Sequence, residues 1–317
     1  MPHLISAMKV SAPLLPCSNL PSAAPRPGIS APQAKVRLLM TDKDIKIGVA
    51  GCGAMGLPMA LNLLGAGLDV SGFDIRPPDQ FGTLSPRMTG SAFELAQECS
   101  VVLSVVRDWA QTQDLCFGPT GLFTNGDGPK TLIICSTLSP YMIAEILGRL
   151  PPDCSLVDAP MSGAPYRAED GTLTFMVGGE EAVVDRLMPV FSAMGTEINH
   201  LGDVGAGMTC KVLNNMLAAT SVVAVREVLA ASEKLGFAPD KLLEVAKTSS
   251  GGTWFGDNLE KISWADEGYS ITNTIGILEK DVKSLLDATE NFPELRINEF
   301  AEFIIKELRN LAPVTKD

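Results

Sequence analysis

The run Ile45-Lys46-Ile47-Gly48-Val49-Ala50-Gly51-Cys52-Gly53-Ala54-Met55-Gly56 constrains the fold of this chain more than any other. A short apolar strand meets three glycines spaced G-x-G-x-x-G, and Met59, Leu61 and Leu64 then follow a helical pattern. A second strand at 68–73 leads to Asp74, 23 residues after Gly51. Each part has a physical reason. Gly51 permits a tight turn, Gly53 lets a pyrophosphate approach the backbone, and Gly56 lets helix and strand pack closely. The helix start offers free N–H groups to phosphates, and a carboxylate after the second strand accepts hydrogen bonds from a ribose 2′-OH. A dinucleotide site is therefore expected at Gly51, Gly53, Ala54, Met55, Gly56 and Asp74. A carboxylate at 74 repels a 2′-phosphate and favours NAD; Arg76, two residues on, reads first as a solvated loop cation, with pairing to the phosphate of NADP as the alternative.

The pattern continues as α/β text. Strand-like runs stand at 101–106, 131–135, 155–158 and 173–177, with helical segments near 92–98, 141–150 and 181–194. Strands alternating with helices predict a Rossmann-type, doubly wound and mostly parallel sheet. After Gly205 the strand signal stops. Residues 207–235 read as one long helix, apolar over more than one face and therefore buried, and the rest is helical to Leu311. The expected organisation is a dinucleotide-binding domain at 45–205 and an all-α domain at 206–317 built on that interdomain helix. Such a helical domain hardly buries itself alone, so a homodimer or homotetramer is expected.

Residues 1–44 are different: rich in Ser, Ala, Pro and Leu, with seven prolines and no acid before Asp42. They read as a disordered or dispensable extension, with an organellar transit peptide as the alternative. The protein is accordingly expected in the cytoplasm, or in the mitochondrial matrix if the extension is a transit peptide. A net charge of −12 argues against nucleic acid or an anionic membrane as partner. The seven cysteines are scattered without a C-x-x-C pair, so small buried hydrophobes in a reducing compartment are expected, and no metal site.

A hydride transfer to a carbonyl needs a proton donor for the forming alkoxide. The chain has two histidines, His3 in the extension and His200 in a strand before the helical part, where a structural role is expected. That leaves lysine. Lys211 opens the long helix among small and apolar neighbours, and Asn215, four residues on, shares its face. To act near neutral pH its amine needs a pKa lowered by burial or a second cation. The strand–turn–strand segment 158–179 holds Ser162, Gly163 and Ala164, a hydroxyl and two backbone N–H groups suited to a carboxylate; a plain turn explains them equally well.

These pieces resemble, in this order, the β-hydroxyacid dehydrogenase family, which includes 3-hydroxyisobutyrate dehydrogenase and tartronate semialdehyde reductase. The resemblance runs from Ile45 to Leu311 through Gly51-x-Gly53-x-Met55-Gly56, Asp158-Ala159-Pro160-x-Ser162-Gly163, Gly171-Thr172-Leu173, Gly205-x-Gly207-x-x-x-Lys211-x-x-Asn214-Asn215 and Lys280-Asp281. It implies that Lys211 is the acid–base residue, that Asn215 orients the substrate, and that Ser162 and Gly163 hold its carboxylate. It also implies that Val106 and Thr137 touch the nicotinamide half of the cofactor, and that Lys280 closes over cofactor and substrate. Three positions depart from the family: Ala164 replaces a glycine, Arg107 a proline and Asn273 an aromatic residue. With Gly251-Gly252-Thr253-Trp254-Phe255, Trp254 included, Asn273 suggests a distinct pocket wall. The implied activity is reversible, NAD-dependent oxidation of a small 3-hydroxy acid to its semialdehyde. The rivals are an NADPH-linked reductase of short aldehydes such as glyoxylate or succinic semialdehyde, and an inactive cofactor-binding protein of the same fold.

Overall fold

A computed structural model describes residues 45–126 and 128–314; the extension at 1–44 lies outside the described residues. Five parallel strands form the first sheet: β1 (Lys46–Ala50), β2 (Asp69–Phe73), β3 (Val101–Ser104), β4 (Thr131–Ile134) and β5 (Ser155–Asp158), in the order β2-β1-β3-β4-β5. The chain steps from β1 to β2 on one side and returns to place β3 on the other. That reversal opens a crevice above the carboxyl ends of β1 and β3, where ligands of such sheets bind.

Helices cover both faces because the strands are apolar on both. Val101, Leu103 and Ile133 point into one core with α1 (Gly56–Gly65) and α6 (Glu181–Met194). Val102, Leu132 and Ile134 point into the other with α2 (Ala92–Glu98), α3 (Trp109–Phe117) and α4 (Pro140–Arg149). Local chemistry starts these helices. Ser91 accepts from the Glu94 amide and Glu94 reaches back to the Gly90 amide, while Asp108 and Ser139 cap α3 and α4.

The later strands form a second sheet. β6 (Met161–Ser162) pairs antiparallel with β7 (Leu173–Val177), which runs parallel to β8 (Gly195–His200), and α5 (Pro165–Glu169) lies between β6 and β7. The two sheets meet through one pair of backbone hydrogen bonds, between Asp158 and Gly178 at 3.0 and 2.8 Å. Pro160, without an N–H, interrupts the strand between them. His200 has the structural role expected: its Nε2 lies 2.8 Å from the Gly179 carbonyl.

The helical part starts at α7 (Ala206–Lys234) and continues with α8 (Pro239–Lys247), α9 (Trp254–Asp257), α10 (Thr274–Ala288) and α11 (Ile297–Asn310). Val212, Met216, Ala219 and Val223 of α7 share a third core with residues of α10 and α11. The expectation of a helix buried around much of its circumference is corrected here. Leu217 is 72% exposed and Val228 53%, and beyond Val223 the only buried residue of the helix is Ser232. α7 has the length and hydropathy of a membrane span, yet it carries the buried polar residues Lys211 and Asn215 and serves as the spine of this core.

Candidate functional site

The glycine turn between β1 and α1 sits at the crevice. Gly51 adopts φ of 91°, and a Cβ there would lie 2.8 Å from the Val105 carbonyl. At Gly56 a Cβ would lie 1.9 Å from the Gly51 carbonyl oxygen, so the turn closes only with glycine. Gly53 has open space where a Cβ would stand, and no side chain caps the start of α1. Free amides, open space and a helix N-terminus together fit a pyrophosphate.

A cavity of about 640 Å³ extends from this turn. Of the residues expected at a cofactor, Gly51, Gly53, Ala54, Met55, Asp74, Val106, Thr137 and Lys280 line it, while Gly56 lies behind the turn it shapes. Lys280 reaches across from α10 and donates to the Thr137 carbonyl at 2.7 Å. Arg107, Gln111, Met161, Ile277 and Asp281 also line the cavity; the sequence reading gave none of them a role there. Arg107 is placed by chain topology alone: it donates to the Ile271 carbonyl at 2.5 Å, a partner 164 positions away.

Asp74 is not free to meet a ribose alone. Its Oδ1 accepts from the Arg76 amide and Nε, and its Oδ2 from the Cys52 amide and Arg76 Nη2, all between 2.9 and 3.1 Å. A carboxylate offers about four lone-pair sites, so these donors fill it. Burial pushes the Asp74 pKa up, but the Arg76 hydrogen bonds and charge outweigh it and hold it below the ordinary value. The Arg76 guanidinium lies 4.9 Å over the Phe81 ring and is half exposed.

A buried polar cluster stands beside the cavity; Lys280 and Asp281 line it, while Lys211 and Asn215 lie behind them outside its lining. Lys211 is 7% exposed and donates from Nζ to the Met161 carbonyl at 2.7 Å. Its pKa is lowered, first by burial; the Asp281 carboxylate opposes this and the Lys280 ammonium adds to it. Asn215 donates to Asp281 Oδ2 at 2.5 Å, and Lys280 Nζ lies 2.6 Å from Asp281 Oδ1 as an ion-pair contact. Asp281 thus joins the three side chains singled out from sequence. Its place in the Lys280-Asp281 pair was visible; its partners, 66 and more residues away, were not.

The expected substrate segment lies beside this cluster. Ser162 pairs with Thr174 in the second sheet, Gly163 takes φ of 142°, and Ala164 is the residue before α5. None of the three lines the cavity itself, which reaches their neighbour Met161. Trp254, expected in a pocket wall, stands 48% exposed at the start of α9 and lines no part of the cavity. Asn273 has a structural use instead: its Oδ1 accepts from the Gly276 amide and caps α10, the helix that carries Lys280 and Asp281.

Comparison with known proteins identifies the family. Residues 46–202 match the NAD-binding domain of 6-phosphogluconate dehydrogenase, and residues 205–306 match the "NAD-binding of NADP-dependent 3-hydroxyisobutyrate dehydrogenase" family. The chain is 38% identical over 218 residues to the 3-hydroxyisobutyrate dehydrogenase of Pseudomonas aeruginosa, covering 68% of this chain and 72% of the relative. It is 35% identical over 199 residues to the 2-hydroxy-3-oxopropionate reductase of Escherichia coli, covering 62% and 68%. The structure of Mycobacterium tuberculosis 3-hydroxyisobutyrate dehydrogenase with L-serine superposes with a TM-score of 0.69 at 27% identity, over 85% of this chain and 96% of that one. This chain belongs to the β-hydroxyacid dehydrogenase family, oxidoreductases that use NAD, with NADP as an alternative.

Proposed function

We propose that the protein interconverts a small 3-hydroxy acid and its semialdehyde, with Lys211 exchanging the proton of the substrate oxygen. One observation carries this reading: a buried amine with a lowered pKa, hydrogen-bonded beside the cofactor-shaped cavity and flanked by Asn215, Lys280 and Asp281. The names of the relatives, 3-hydroxyisobutyrate dehydrogenase and 2-hydroxy-3-oxopropionate reductase among them, support a short acid as substrate.

The bound nicotinamide supplies the hydride acceptor or donor. In oxidation the neutral Lys211 amine takes the hydroxyl proton; in reduction the ammonium returns it to the forming alkoxide. Burial and the Lys280 charge favour the neutral amine, and the Asp281 carboxylate favours the ammonium. Asn215, held by Asp281, orients the same oxygen. Ser162, Gly163 and Ala164 provide a hydroxyl and backbone N–H groups for the carboxylate. Lys280 spans the cavity and shields the reacting end from water. In this arrangement 45–205 holds the dinucleotide and 206–317 closes over the substrate.

A second reading concerns the cofactor. The engagement of Asp74 by Arg76 favours tolerance of a 2′-phosphate, and with it reduction of a short aldehyde with NADPH. A panel of 3-hydroxy acids and aldehydes assayed with NAD, NADP and their reduced forms tests both readings. Turnover of 3-hydroxy acids with NAD supports the first; turnover confined to aldehydes with NADPH replaces it. The exposed apolar residues Leu213, Leu217 and Val228 of α7 support assembly with a second copy as homodimer or homotetramer. Sedimentation of the purified chain as a monomer at micromolar concentration would refute that.

A further inference from the structure

One buried ionisable group has no part in the chemistry above. Asp158, at the carboxyl end of β5, is fully buried, and its side chain accepts from two amides of α7: Gly205 N to Oδ1 and Met208 N to Oδ2, both at 2.6 Å. Gly205 is the residue before the helix and Met208 its third member. These are the two amides that a Ser-x-x-Glu capping box satisfies with two local side chains. Here a single carboxylate 47 residues away satisfies both.

The same two segments meet again one step further along. Three residues after Asp158 comes Met161, and three residues after Met208 comes Lys211, whose Nζ donates to the Met161 carbonyl at 2.7 Å. The carboxylate and this carbonyl are therefore two rungs between the 158–161 segment and the first turn of α7. Gly207, between the two amides of the first rung, lets the helix lie directly on the strands, since a Cβ there would stand 2.3 Å from the Met176 carbonyl oxygen.

We propose that Asp158 is a positioning residue: by closing the start of α7 it fixes the turn from which Lys211 reaches the substrate segment. The inference rests on the proposed role of Lys211. Burial pushes the Asp158 carboxyl up to about 6, against the pull of the Gly205 and Met208 amides. A buried charge held at such a cost is poorly explained as a stabilising device and well explained as a geometric one. Lys211 itself faces Asp281 and Lys280 from α10 and Cys210 on its own helix, so a displaced amine would meet a different field.

The test compares Asp158→Asn, Asp158→Glu and Lys211→Ala with the wild type. NADH binding is followed by fluorescence titration, turnover on the best hydroxy acid of the panel, and the pH dependence of Lys211 acetylation by acetic anhydride through peptide mass spectrometry. In Asp158→Asn one acceptor becomes an NH₂ facing an N–H, so kcat should fall at least tenfold while NADH affinity stays within about twofold. The midpoint of Lys211 labelling should rise toward the ordinary lysine range, read under conditions where urea unfolding shows the variant to be as stable as the wild type, so that opening does not account for the change. Asp158→Glu keeps the charge but not the reach and should show a smaller loss. Unchanged kcat and labelling in a folded Asp158→Asn protein overturn the proposal while Lys211→Ala stays inactive. If Lys211→Ala turns over normally, the functional reading falls and the labelling midpoint still decides the positioning. Should both Asp158 variants fail to fold, amide exchange in the wild type decides. Protection of the Gly205 and Met208 amides at least tenfold over an open chain supports the cap, and free exchange overturns it.

Discussion

Arg76 grips Asp74 from its side of the cofactor cavity, with Nε 2.9 Å from Oδ1 and Nη2 3.1 Å from Oδ2, while Arg76 Nη2 also donates to the Cys52 carbonyl at 2.9 Å. The carboxylate expected to select NAD is thus partly neutralised by the neighbouring cation, the alternative partner of a 2′-phosphate. Arg76→Ala should release Asp74 and raise the NAD over NADP preference about tenfold, equivalent to about 1.4 kcal/mol. Asp74→Asn should move the preference the other way. Direct titration with NADH and NADPH measures both, and an unchanged ratio in the two variants would remove the pair from any role in cofactor choice.

Lys211→Ala should lower kcat by a factor of about 10² or more, the scale of losing a positioned acid–base group, while NADH still binds. In the oxidative direction the wild-type rate should rise with pH as the amine loses its proton, at a midpoint below the ordinary lysine value because burial disfavours the ammonium. Near-normal turnover by the folded alanine variant would reject the assignment.

The same burial has a thermodynamic side. A lysine whose folded pKa lies below its unfolded value binds fewer protons when folded, so its contribution to stability rises with pH between those two values and is unfavourable beneath them. Lys211→Met, of similar volume, should therefore raise Tm at pH 7 while abolishing turnover. A lower Tm would mean that Asp281 and the Met161 carbonyl stabilise the ammonium more than burial opposes it.

Glu279 ties the helical part together. It lies 2.6 Å from Arg309 of α11 and 2.5 Å from Lys283, and it accepts from the Tyr269 hydroxyl. Burial pushes its pKa up, but these partners outweigh that and bring it down to about 2. Its stabilisation is present above the ordinary carboxylate pKa and is lost as pH falls toward about 2. Glu279→Gln should destabilise by ~1–3 kcal/mol at pH 7, read by urea unfolding, with the difference from wild type shrinking in acid.

Much of the fold was legible because period and punctuation coincide. The segments at 92–98 and 181–194 emerge with the limits read from sequence, since a serine cap or a turn fixes one end and apolar spacing the face. The stretch at 78–87 was missed: its two prolines and glycine hide two short 3₁₀ turns, broken at Phe81 and Gly82, from any apolar period. The second sheet was hidden too, because nothing local says that β7 joins β6 and β8 rather than β5. At the site, residues in motifs with their own backbone logic were readable. Asp281, Arg107 and Asp158 were not given roles, because their partners lie 47 to 164 positions away. Asn273 and Trp254, expected in a pocket wall, stand outside the lining of the cavity, since a side chain's neighbours and not its identity decide what it faces.

Two cations bridge the cleft, Lys280 to the Thr137 carbonyl and Arg107 to the Ile271 carbonyl. Each joins the sheet side to α10 or the loop before it, on the lip of the space a dinucleotide must fill. Arg107 and Lys280 both line the cavity, so a nucleotide entering it would have to pass or displace these two bridges. Ordered addition, nucleotide ahead of acid, is the expected outcome of such a gate, and product-inhibition patterns check it; random addition would show that the two bridges do not control entry.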